Sequence, residues 1–97
     1  MDLRHAFWLR VNAQLRELGV TSIDDDAQTK LNAAIDVGIR RVRQGEARES
    51  EFLHAADRVA GAVRLTAYQR GLHERDMVTA EIVAASLDSL CPLWPIC

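Results

Sequence analysis

The stretch TSIDDDAQTKLNAAIDVGIRRVRQG, residues 21–45, decides the fold. Within it Ile23, Ala27, Leu31, Ile35, Ile39 and Val42 recur at steps of four and three, which gathers them on one helical face. Thr21 and Ser22 stand ahead of Asp24, Asp25 and Asp26, supplying an N-cap and acids for the first turn. Arg40, Arg41 and Arg43 crowd the last turn before Gly45. Acids at the positive end and arginines at the negative end both complement the helix macrodipole. A helix over about residues 22–44 follows.

The same logic extends in both directions. Upstream, Leu3, Phe7, Val11, Leu15 and Leu18 form a stripe in a helix over about residues 2–18, with Asp2 as cap and Gly19 past its end. Downstream, Phe52, Ala56, Val59, Ala60, Val63 and Ala67 face one way in a helix over about residues 47–70, closed by Gly71. Gly61 lies inside it, where glycine costs ~1 kcal/mol against alanine. The small residues from Ala55 to Ala62 suggest close approach by a neighbouring helix as its reason. Val78, Ile82, Val83, Leu87 and Leu90 mark a fourth helix over about residues 76–90. Pro92 forbids its continuation and leaves an apolar tail over residues 91–97. No window alternates with the period of two that a half-buried strand needs. The expected fold is all-α, a compact bundle of four helices forming a single domain over residues 1–97.

Composition bounds the function. The chain has 97 residues, a formal charge of −2, 48% hydrophobic and 27% charged residues. That is room for one domain, and the apolar fraction excludes intrinsic disorder. No run approaches the ~20 apolar residues of a membrane span, and no basic region followed by an apolar run opens the chain. Cys91 and Cys97 both fall in the tail, unlike the distributed cysteines of a secreted disulfide scaffold. A soluble cytoplasmic protein is expected. Eleven of its twelve basic residues are arginine, with Lys30 the exception, a bias that points to a GC-rich bacterial genome.

The chemistry-bearing residues form no recognisable constellation. His5, His54 and His73 lack the i, i+4 spacing that aims two imidazoles at one metal. Asp24, Asp25 and Asp26 could attract a hard cation, but Ile35 stands where a calcium loop needs its closing glutamate, and helix-start electrostatics accounts for the triplet. Arg40, Arg41 and Arg43 with Lys30 could touch phosphate, yet the helix end explains them equally. No catalytic residue, metal or cofactor is therefore expected. A helix-turn-helix over residues 67–90 finds Ala67, Gly71, Leu72 and Met77 in order, but Thr66 and Arg70 are polar where apolar residues are wanted. Its would-be recognition helix contains no Arg, Lys, Asn or Gln to read bases or grip phosphates.

What remains is apolar surplus. Trp8, Leu9 and Met77 exceed what four short helices can bury, which favours a two-fold homodimer. The tail residues Leu93, Trp94 and Ile96 either lid the bundle or dock on another subunit or protein, where tryptophan is a favoured anchor. The reading is a small non-enzymatic interaction module, a stoichiometric regulator of inhibitor or antiactivator type. Its larger bacterial partner would be bound through Trp8, Leu9, Leu93, Trp94 and Ile96. A helix-turn-helix DNA-binding regulator is the alternative.

Overall fold

A computed structural model describes residues 2–17, 23–71 and 77–90. Helices α1 (Leu3–Glu17), α2 (Asp25–Arg43), α3 (Glu49–Gln69) and α4 (Ala80–Leu90) form an all-α four-helix bundle. Gly19, His73, Cys91, Cys97 and the tail residues Leu93, Trp94 and Ile96 lie outside the described residues.

Local chemistry explains where the helices begin and end. Asp2 Oδ1 accepts from the backbone N–H of Arg4 at 3.0 Å, opening α1. Asp24 caps α2, accepting from the N–H groups of Asp26 at 2.7 Å and Ala27 at 3.1 Å. Gly45, at φ 78°, ends α2: its N–H donates to the Val42 carbonyl, and the Glu46 N–H donates to the Arg41 carbonyl. This pair of bonds is the Schellman arrangement, and the left-handed φ it requires is one that glycine adopts without strain. Gly71, at φ 74°, ends α3 similarly, donating to the Tyr68 carbonyl.

Side-chain pairs set the relative directions of the helices. Phe7 meets Phe52, and Arg10 pairs with Asp57, so α1 and α3 run the same way. Arg4 pairs with Asp36 and Trp8 with Asn32, so α1 and α2 are antiparallel. Arg70 pairs with Glu81 and Thr66 with Ser86, so α3 and α4 are antiparallel too. An isolated parallel β-bridge between Ile23 and Val78 starts α2 and α4 at the same end. Among the described residues no Cα atom of α1 comes within 8 Å of one in α4, so these two helices occupy opposite corners.

The core combines the expected stripes. Phe7, Val11, Leu31, Ile35, Phe52, Val59 and Val83 are buried together. Phe7 and Phe52 meet within it, their ring centroids 5.1 Å apart at a 42° tilt, which avoids the face-to-face sandwich that the ring quadrupoles disfavour. Among the described residues Ser86 is the buried polar side chain, its hydroxyl donating to the Ile82 carbonyl at 2.6 Å.

Four expectations need correction. Asp24, expected among the first-turn acids, is itself the cap of α2, while Thr21 and Ser22, expected as the cap, lie outside the described residues. α4 begins at Ala80 rather than near residue 76, because Val78 is drawn into the bridge, where its carbonyl accepts from the Asp24 N–H at 3.0 Å. Ile23 leaves the α2 helix for the same bridge. Gly61 is not a helix-crossing point: it is exposed, and a Cβ built there would meet nothing within 4 Å. The glycine buried in a helix is Gly38 of α2.

Candidate partner-binding site

One residue advances an α-helix by about 100°. Trp8 therefore emerges beside the core stripe that Phe7 begins, and it does so on the side facing α2. Its indole Nε1–H donates to Asn32 Oδ1 at 2.7 Å, and its ring is half-buried against the core. Asn32 is held there because it follows the fully buried Leu31 on α2.

α1 packs closely on α3 but only lightly on α2. The separation leaves a groove of about 700 Å³ with Trp8, Leu15 and Ile23 as its apolar lining. Asn12, Gln28 and Asn32 add amide groups, and Asp2, Arg4, His5 and Arg16 complete the rim. The Gln28 amide donates to the Ile23 carbonyl at 3.2 Å, while the Arg4–Asp36 ion pair braces α1 against α2 at the far end. Apolar walls with a few convergent amides are suited to an extended or helical segment that carries its own backbone donors and acceptors.

The neighbouring Leu9 points elsewhere. About 200° from Phe7, it projects away from the bundle and is 57% exposed. Trp8 and Leu9 thus open onto different surfaces of α1. Met77, just before α4, is 52% exposed. Leu93, Trp94 and Ile96 fall outside the described residues.

Two exposed apolar residues escaped the sequence reading, Leu65 at 57% and Tyr68 at 76%. The signal was present: both lie off the Phe52–Val63 stripe, on the opposite side of α3. His54 is exposed on that same helix, whereas His5 is at the groove. Among the described residues no group of three or more His, Cys, Asp or Glu side chains could hold a metal ion, and no helix is long and apolar enough to cross a membrane. No family model, curated protein or solved structure matches the chain.

Proposed function

We propose that this chain is a small cytoplasmic, non-enzymatic interaction module that binds a larger bacterial protein stoichiometrically and regulates it as an inhibitor or antiactivator. Contact is made through the Trp8-lined groove, through Leu9 and through the tail residues Leu93, Trp94 and Ile96. Copies of the chain pair as a homodimer. The observation that carries the reading is the surplus apolar surface of α1: a half-buried tryptophan edging an amphipathic groove, and an outward leucine 57% exposed. Aromatic anchors seated in such pockets supply most of the energy in many interfaces.

A helix-turn-helix over residues 67–90 draws less support. The exposed side of α4 carries Glu81 and Asp88, whose carboxylates repel phosphate.

Capture with the tagged chain from a nuclease-treated lysate of the source cells tests the proposal. One protein should be recovered near stoichiometrically and with little dependence on salt. Trp8→Ala and Trp94→Ala should each reduce its recovery. Sedimentation equilibrium should show a dimer of the free chain. Full recovery by both tryptophan variants would remove the proposed surface. Saturable duplex-DNA binding that weakens steeply with salt would favour the alternative.

A further inference from the structure

We propose that the outer face of α3, from Arg58 to Tyr68, docks an acidic amphipathic helix of another protein. Arg58, Gly61, Leu65 and Tyr68 follow one another at steps of three, four and three, so they line one stripe of the helix. That stripe is turned away from the buried Phe52, Val59 and Val63, and all four residues are exposed. Leu65 and Tyr68 offer the apolar contact, and Gly61 leaves bare backbone with open space above it, where a second helix can come close.

Charge selects the occupant. Arg58 and Arg64 are exposed on this side and have no ion-pair partner among the described residues. The nearby carboxylates are engaged instead: Asp57 with Arg10 at 3.6 Å, Glu51 with Arg48 at 3.9 Å, and Glu81 with Arg70. The apolar pair is thus flanked by uncompensated positive charge in a chain whose net charge is −2. A second copy is a poor occupant, because a two-fold interface would set this cationic patch against itself. Nucleic acid is a poor one too, since a net acidic chain repels a polyanion beyond the patch. A helix with an apolar seam and glutamates beside it satisfies both features. The surface is separate from the Trp8 groove, so it holds or fails independently of that reading.

The test uses the full chain, isotope-labelled, titrated with a synthetic amphipathic helix bearing leucines at three–four spacing and glutamate flanks. A second peptide has lysine in place of each glutamate. Saturable shifts of backbone resonances over Arg58–Tyr68 are expected with the glutamate peptide, together with weakening as salt rises. The double variant Arg58→Glu/Arg64→Glu, changed only at exposed positions, should lose about tenfold in affinity for that peptide and gain for the lysine one. Leu65→Ala and Tyr68→Ala should each weaken both pairings. No saturable shift on α3 at about 1 mM peptide would overturn the proposal, as would shifts that ignore the charge reversal. Self-association abolished by Leu65→Ala would overturn it in favour of a second copy. Tighter binding of a duplex oligonucleotide, lost in the double arginine variant, would overturn it in favour of nucleic acid.

Discussion

Replacing Gly61 with alanine should make this protein more stable. The glycine sits in the interior of the 21-residue helix α3, at an exposed position, and its φ is not among the positive values. Beyond the helix's own backbone and the two chain neighbours, an added Cβ would meet no atom within 4 Å. No clash and no backbone strain therefore oppose the change, and only helix propensity remains. Alanine is favoured over glycine by about 1 kcal/mol in a helix interior, largely because the unfolded chain has less freedom to lose. For a domain of this size, 1 kcal/mol raises the melting temperature by roughly 4–8 °C. Urea unfolding followed by far-UV circular dichroism should show a higher midpoint with the slope unchanged, the mark of altered stability without altered compactness. Gly45→Ala is the contrasting control. There too a Cβ meets nothing within 4 Å, but φ is 78°, so alanine would be strained and the midpoint should fall. A Gly61→Ala protein no more stable than its parent would refute the reasoning, because it would mean that something already occupies the space above residue 61.

Substitutions at four further positions test the bundle itself. Phe52→Ala removes a fully buried ring that packs on Phe7 and should cost about 3–5 kcal/mol, a large part of a small domain's stability. A thermal melt showing a loss below about 1 kcal/mol would place the core elsewhere. Asp24→Ala removes the acceptor for the Asp26 and Ala27 N–H groups and should cost about 1 kcal/mol, whereas Asp24→Asn should retain most of the cap. Urea midpoints for the pair separate the hydrogen bonds from the charge. Ser86 Oγ lies 3.2 Å from Thr66 Oγ1, so a double-mutant cycle of Ser86→Ala with Thr66→Val should give a coupling of about 0.5–1 kcal/mol. A coupling of zero would remove that bond from the account of how α3 and α4 are held together.

The sequence by itself determined the helical class, the glycine stops and the core stripes, while the cap of α2 fell to Asp24 rather than to Thr21 or Ser22. Asp24, Gly45 and Gly71 act on backbone groups a few residues away, and Phe7, Val11 and Leu15 share a face through helical pitch alone. Such effects are local and need no knowledge of the rest of the chain. Gly61 was legible in the same way: two steps from both Val59 and Val63, it falls about 200° from each, yet the small residues around it suggested a buried crossing. Leu65 and Tyr68 could be placed outside by the same rule. Tertiary structure alone decided the rest. Val78 continues the apolar stripe of α4, but its carbonyl is claimed by the Asp24 N–H from more than fifty positions away, and the helix starts only at Ala80. Trp8 is tied to Asn32 and set at the edge of a groove because α1 leans on α3 and stands off from α2. Arg10 spends its charge on Asp57, while Arg58 and Arg64 find no ion-pair partner among the described residues. Periodicity and capping depend on neighbours within a turn or two, whereas pairing, exposure and uncompensated charge depend on which distant residues the folded chain brings together.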